Sequence, residues 1–183
     1  MRIITGTARG CRLETLEGDQ TRPTSEFVKE AVFSMIQFDL EGRNVLDLFA
    51  GSGQLGLEAL SRGAAKATFV DHNPAAVNII KRNAQKTRMY ERCRVLGSEW
   101  ESFLRGAAKK EQFDIVFLDP PYADNSIPKI LTRLCEGNLL SDNALVICES
   151  SDETPFEAPG LKLVSHKHYG KTYVTLLTKE VLL

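Results

Sequence analysis

The chain has 183 residues, of which 43% are hydrophobic and 26% charged. That length and balance suit one folded domain with a single sizeable core and exclude a disordered chain. A formal net charge of −1 rules out a global positive field, so any contact with nucleic acid must come from a local patch.

Uninterrupted apolar runs such as 115–118 fall far short of the roughly 20 residues of a membrane-spanning helix. The N-terminus offers Arg2 and then polar residues and glycine, without the apolar stretch of a secretory signal. A cytoplasmic protein that touches no membrane is expected. Cys11, Cys93, Cys135 and Cys148 form no CxxC pair, and His72, His166 and His168 lie near none of them in sequence. Reduced thiols are expected, with no metal.

In chain order, residues 1–22 are turn-rich and read as a small β-hairpin arm. The arm carries Arg2, Arg9, Arg12 and Arg22 against Glu14, Glu17 and Asp19. Pro23 opens a helix that Thr24 or Ser25 can cap, with Glu26 in its first turn. Its buried face is predicted to follow Phe27, Ala31, Ser34 and Phe38, widened by Val28, Met35 and Ile36. It should end near Leu40, before Gly42.

Strands are predicted at 45–49, 67–70, 93–96, 113–118 and 144–149. Helices are predicted at 54–62, 74–86, 98–105 and 127–135, with Pro74 favouring the first turn of the second of these. The alternating tail, 162–166 and 173–178 around Gly170, reads as an antiparallel pair. Strands and helices alternating at this spacing predict an α/β fold, a mostly parallel sheet covered on both faces. Ligands of such sheets bind at the carboxyl ends of the strands. Asp47, Asp71 and Asp119 stand at or near those ends, and Glu99 follows the remaining strand.

Gly51-Ser52-Gly53-Gln54-Leu55-Gly56 matches GxGxxG between a strand and a helix, with Asp71 twenty residues past Gly51. Alone, this is a dinucleotide fingerprint. Asp47, four residues earlier, is unwelcome beside a pyrophosphate but suits a cationic ligand. S-adenosylmethionine carries a sulfonium and an ammonium and no phosphate. On that reading Asp47 holds the methionine end, Gly51 and Gly53 allow close backbone approach, and Asp71 accepts the ribose hydroxyls. Glu99 reads the adenine, with Trp100 packing nearby. The structural alternatives are a backbone-satisfied strand acid for Asp47, a helix cap for Asp71 and plain core for Trp100.

Asp119-Pro120-Pro121-Tyr122 ends the most strand-like stretch of the chain. Two prolines remove two backbone donors and stiffen the turn. The Asp119 carboxylate and the Pro120 carbonyl are then two acceptors suited to an amino group, and Tyr122 is a face on which a base can stack. Two such acceptors hold the hydrogens of a conjugated amine and aim its lone pair, while Asp119 stabilises the developing charge or takes the proton. An ordinary rigid strand-end turn is the alternative.

The segments Arg22-Pro23-Thr24-Ser25, residues 47–53, Phe69-Val70-Asp71, Asp119-Pro120-Pro121-Tyr122 and Tyr169-Gly170-Lys171-Thr172 together resemble the RsmD-type methyltransferases over essentially the whole chain. The resemblance implies a Rossmann-like class I methyltransferase with a seven-stranded sheet. It also implies methylation of the N2 amino group of a guanine in 16S ribosomal RNA, with S-adenosylmethionine as cofactor. It places the catalytic group at Asp119, Pro120, Pro121 and Tyr122. Thr24, Asp47, Phe49, Gly51, Gly53, Asp71, His72, Glu99 and Trp100 fall at the cofactor. Arg2, Arg9, Arg12 and Arg22 are candidate phosphate contacts. The expected partner is small-subunit ribosomal RNA or the subunit particle, and the expected state a monomeric single domain, with 1–22 as arm and 23–183 as catalytic core. Alternatives are methylation of another RNA, a DNA adenine or a protein glutamine, a nicotinamide oxidoreductase, and a non-catalytic RNA-binding module.

Overall fold

The computed structural model describes residues 1–16, 23–121 and 124–180, apart from the side chains of residues 23–25. Its elements are α1 (Pro23–Met35), β1 (Asn44–Asp47), α2 (Gln54–Ser61), β2 (Lys66–Asp71), α3 (Pro74–Lys86), a short 3-10 turn, β3 (Cys93–Gly97), α4 (Trp100–Ala107), β4 (Phe113–Leu118), α5 (Ile127–Glu136), β5 (Leu140–Ser150), β6 (Leu161–Tyr169) and β7 (Thr172–Lys179). The seven strands form one sheet in the order β3-β2-β1-β4-β5-β7-β6. The first five run parallel, and β7 lies antiparallel between β5 and β6. The tail pair is antiparallel as expected, and its last strand takes the interior place.

Alternate residues of each strand feed two cores, because successive side chains point to opposite faces. Val45, Phe69, Ile115 and Ile147 pack with α1, α2 and α3. Leu46, Val70, Val116 and Val146 pack with α4 and α5. Being buried on both faces, β4 reads as an unbroken apolar run in the sequence. All four cysteines are free thiols. Among the described residues no helix is long and apolar enough to cross a membrane, and no group of three or more His, Cys, Asp or Glu is placed to hold a metal ion.

Three local expectations are corrected. The buried face of α1 is Val28, Lys29, Val32 and Phe33, continued by Ile36, while Phe27 is 57% and Phe38 91% exposed. The helix stops at Met35 because the chain turns there, Asp39 N–H donating to the Ile36 carbonyl. Strand β5 starts at Leu140 rather than 144. A register shift opposite Phe113/Ile115, with Asn143 at φ 59°, lets the ladder bend and extend.

Among the described residues the hairpin of the arm has one ladder bridge, Arg2 to Arg12. Its fixing comes instead from below. Ile3 and Leu13 are buried in the first core. The Ile4 and Thr5 amides donate to Glu58 Oε2 and Oε1 at 2.8 and 3.0 Å. Glu58 is fully buried in α2 and also pairs with Arg62 Nε at 2.8 Å and Lys29 Nζ at 3.7 Å. Lys29, 1% exposed, donates to the Arg2 carbonyl at 2.6 Å. Burial pushes the Lys29 ammonium below its ordinary pKa, and Glu58 pulls it back. A buried charge stripped of its partner is costly. Glu58→Ala is therefore expected to lose ~3 kcal/mol or more in urea unfolding and to free the Ile4 and Thr5 amides to hydrogen exchange. A loss below ~1 kcal/mol would show that the ion network does not hold the arm.

Candidate active site

The sheet reverses its winding between β1 and β4, which are neighbours although far apart in the chain. In open α/β sheets that point forms a crevice beyond the strand ends. Here it is a cavity of about 370 Å³. The loops after β1, β2, β3 and β4 all border it, bringing Asp47, Asp71, Glu99 and Asp119 to one space.

The floor is the junction of β1 with α2. Asp47 ends β1, is 2% exposed, and accepts the Gly56 N–H through Oδ2 at 3.0 Å. One backbone-amide bond is therefore part of its environment, as the structural alternative held, yet the same carboxyl borders the cavity. Burial raises the Asp47 carboxyl to about 7. The Gly56 bond opposes that rise, and Asp119 and Asp71 add to it. Gly56 itself is dictated by packing: a Cβ there would stand 2.3 Å from Cε1 of Phe69.

Gly51 lies on the cavity wall at φ +54°, with no atom within 4 Å of where a Cβ would project. Its amide donates to Asp71 Oδ2 at 2.8 Å. Gly53, by contrast, is not among the lining residues. It sits at φ +80° as the residue before α2, and its Cβ direction is filled by Ile80 and Phe69. Its positive φ and its packing against Ile80 and Phe69 make Gly53 a shaper of the turn that opens α2.

Asp71 accepts from Gly51 with one oxygen and from the Asn73 amide with the other, at 2.9 Å. The cap of α3 is Asn73, whose side chain accepts from Ala75 at 2.9 Å, so the helix-cap reading of Asp71 fails. Each carboxylate oxygen has a second acceptor direction. His72 borders the same wall with its side chain 67% exposed, Nδ1 lying 3.9 Å from Asp71 Oδ1. Phe49 lines the cavity and packs against the second core. Glu99 precedes α4 and is exposed. Trp100, the first residue of α4, packs partly on the second core while lining the cavity, and the Lys129 ammonium lies 5.6 Å over its ring. Trp100 is therefore both partial core and cavity wall.

Asp119, Pro120 and Pro121 complete the opposite wall, and Asp124 N–H closes the turn on the Pro121 carbonyl at 2.8 Å. Tyr122 and Arg22 lie outside the described residues, as does the side chain of Thr24. The remaining arginines are exposed but not gathered. Arg2 and Arg12 face each other across the hairpin bridge, Arg2 lying 3.7 Å from Glu26. Arg9 rides the hairpin turn, which docks through the Thr7 and Ala8 amides on Ser61 at the far end of α2 from the glycine loop.

Two residues at the site were given no role from the sequence. Gln54, at the start of α2, lines the cavity with Oε1 buried and, among the described residues, without a hydrogen-bond partner. Glu149, at the tip of β5, lines a smaller cavity that shares Pro120 and Pro121 with the first. The rule that marked the other acids, a carboxylate ending an apolar run, also marks Glu149.

The family described as "Conserved hypothetical protein 95" matches residues 1–178. Ribosomal RNA small subunit methyltransferase D of Haemophilus influenzae is 38% identical over 160 residues, covering 87% of this chain and 83% of that protein. The same-named protein of Escherichia coli K12 is 37% identical over 153 residues, covering 84% and 76%. This chain belongs to the RsmD-type methyltransferase family. The solved "Putative methyltransferase yhhF from Escherichia coli" superposes with a TM-score of 0.88 at 35% identity, covering 100% of this chain and 99% of that one. The fold is accordingly that of a class I methyltransferase, with the seven-stranded mixed sheet expected from the sequence.

Folding raises the Asp47 carboxyl, so between about pH 4 and 7 the folded state holds a proton that the unfolded chain has released. Stability from this group is full at low pH and is lost as pH rises through 7. Asp47→Asn, which keeps an oxygen for the Gly56 amide, removes that loss. Its stability advantage over wild type should grow by on the order of 2–3 kcal/mol between pH 5 and pH 8 in urea unfolding. A constant difference would mean that Asp47 is ionised in the folded protein throughout.

Proposed function

We propose that this protein is an S-adenosylmethionine-dependent methyltransferase that modifies the exocyclic N2 amine of a guanine in small-subunit ribosomal RNA. The observation that carries the cofactor class is the Asp47–Gly56 hydrogen bond. The N-terminus of α2, where a dinucleotide's pyrophosphate would rest, is already occupied by a carboxylate. An anion there meets like charge, whereas a sulfonium or ammonium relieves the mutual repulsion of Asp47, Asp71 and Asp119. The open space beside Gly51 and the orphaned Gln54 oxygen, both on the cavity wall, fit a ligand with polar groups and donors. This favours the methyl donor over the nicotinamide reading. The names of the relatives support the ribosomal substrate.

On this reading Asp47 faces the methionine end and the free acceptor directions of Asp71 take the ribose hydroxyls. Phe49, Gly51, His72, Glu99 and Trp100 wall the nucleoside, with Gly53 holding the turn, and Thr24 is kept as a further candidate contact. When bound, S-adenosylmethionine supplies an electrophilic methyl carbon on a sulfonium whose departure leaves a neutral thioether. The protein's task is mainly placement. Asp119 and the Pro120 carbonyl hold the amine hydrogens so that the nitrogen lone pair points into the cavity. Pro121 keeps the turn rigid and Tyr122 stacks on the base. As the nitrogen gains positive character, Asp119 stabilises it and accepts the released proton.

Arg2 and Arg12, side by side, are the strongest phosphate contacts of the arm, with Arg9 and Arg22 as further candidates. The chain is read as one monomeric catalytic unit of the cytoplasm, residues 1–22 its arm and 23–183 its core.

Incubation with labelled S-adenosylmethionine and total ribosomal RNA, followed by nucleoside analysis, should yield N2-methylguanosine in the small-subunit RNA. Label in N6-methyladenosine or in protein would replace this substrate by one of the alternatives. Asp119→Ala should lower kcat by ~100-fold or more while calorimetry finds cofactor affinity within about threefold of wild type. Equal losses in both would make Asp119 a cofactor residue. Replacing Arg2 and Arg12 together by Ala should weaken RNA binding and reduce its log–log salt slope by roughly 1–2. An unchanged slope would remove them from the interface.

A further inference from the structure

The arm does not gather its arginines, so a chain of net charge −1 needs a further positive surface to hold RNA. The hairpin of β6 and β7 offers one. Residues 161–179 include Lys162, Lys167, Lys171, Lys179, His166 and His168 and no aspartate or glutamate. Lys179 is engaged with Asp142 and the Leu140 carbonyl. Lys162, Lys167 and Lys171 are exposed and, among the described residues, in no ion pair. Strand β6 is the edge of the sheet, so both of its faces open on the same margin.

The same hairpin carries a stack of rings. His166 and His168 pair with Thr175 and Tyr173 and share their face of the sheet. Tyr173 stacks on His168 with centroids 4.3 Å apart and planes at 14°, and on His166 at 5.3 Å and 10°. His166 is pinned through both nitrogens, Nδ1 lying 2.8 Å from Thr175 Oγ1 and Nε2 3.0 Å from the Glu153 carbonyl. Tyr173 is half-buried and His168 exposed. The stack is thus anchored at His166 and presents an ordered flat ring at His168. Any base can stack on such a ring, and a ring already held in place loses little freedom when one does.

Strand register fixes where this platform lies. Leu118, Cys148, Thr175 and His166 form one row across β4, β5, β7 and β6. Ser150, Tyr173 and His168 form the next row of that face, nearer the carboxyl ends and level with the two-proline turn that follows Leu118. Three strand spacings, roughly 14 Å, separate β6 from β4. The second cavity, of about 120 Å³, opens between them and is bordered by Pro120 and by Ser150. The loop 151–160 carries Asp152, Glu153 and Glu157, which confines the positive margin to β6 and its turn at Gly170-Lys171. A polyanion that reaches the two-proline turn is therefore drawn along the hairpin rather than over the loop.

Resting on the RNA reading above, we infer that the β6–β7 hairpin is a platform for single-stranded RNA, on which a nucleotide flanking the target stacks its base on His168 while Lys171 and Lys167 take its phosphates. The hairpin holds substrate, and the methyl transfer itself remains with the turn. Only an unpaired base can be splayed onto a protein ring, so the substrate beside the target is a loop or an opened strand.

The test titrates wild type, His168→Ala, His168→Trp and His168→Lys with small-subunit ribosomal RNA in filter binding. His168→Ala should raise Kd by ~10-fold. Trp, a flat ring without charge, should restore it to within about threefold of wild type, and Lys should not. A Kd for His168→Ala within twofold of wild type overturns the inference. So does recovery by neither variant, or recovery by Lys as complete as by Trp, which would make the contact one of charge. Against a fully paired RNA duplex His168→Ala should change Kd by less than about twofold, and an equal loss on both RNAs overturns the stacking. Calorimetric cofactor binding checks that the variants are folded. Lys171→Ala, at the exposed turn, is the independent variant: it should lower the log–log salt slope by roughly 1, and an unchanged slope removes the hairpin from the interface. RNA bound through His168 but left unmethylated removes the functional reading and leaves the platform. N2-methylguanosine formed with no loss of affinity in His168→Ala does the reverse, and no binding of RNA by wild type removes both.

Discussion

The hydrogen bond from the Gly56 amide to Asp47 is the constraint on which the site depends. It is possible only because Gly56 lets α2 sit against Phe69 of β2, bringing the first turn of the helix down to the tip of β1. The helix N-terminus, ordinarily an anion site, is thereby filled from within the protein. What remains in front of it is a cavity edged by carboxylates, and such a cavity is completed by positive charge. Fold and ligand class are linked through this one contact.

The electrostatic cost is distributed over the rim. Asp47 and Glu149 are each raised by burial first and by neighbouring carboxylates second. Strand order is responsible: β1, β4 and β5 are adjacent, so their tips cannot be far apart. Such strain is tolerated because the scaffold around it is locked. The Glu58 network ties the N-terminal segment to α1 and α2, and the Asn83 side chain holds both the Ser52 carbonyl of the glycine loop and the Glu14 backbone. One end of the arm is thus coupled to the loop that shapes the cavity, while its turn, with Arg9, sits at the opposite end of α2.

Much of this was legible in the residues themselves. Strand 113–118 and helix 74–86 match the observed bounds, because an apolar run closed by Asp-Pro-Pro and a proline-opened amphipathic turn are local signals. The acids at strand tips could be found in the same way, since a carboxylate ending an apolar strand is conspicuous in one dimension. The register of α1 was not legible. Phe27 and Phe38 mark an apolar stripe as plausible as the true one, and only Glu58, 29 residues beyond Lys29, makes a buried lysine tolerable.

What the sequence by itself determined is therefore the class of the sheet, the order of its elements, the glycine loop and the rigid turn, because hydrophobic period and proline and glycine chemistry act between near neighbours. The tertiary structure alone decided that Asp71 is bound by the Gly51 and Asn73 amides, that Gly53 faces the core, that β7 lies inside β6, and that Glu149 comes near Asp47 and Asp119. Each of those facts is set by groups brought together across the sheet, and their meeting depends on packing free energy that no local pattern encodes.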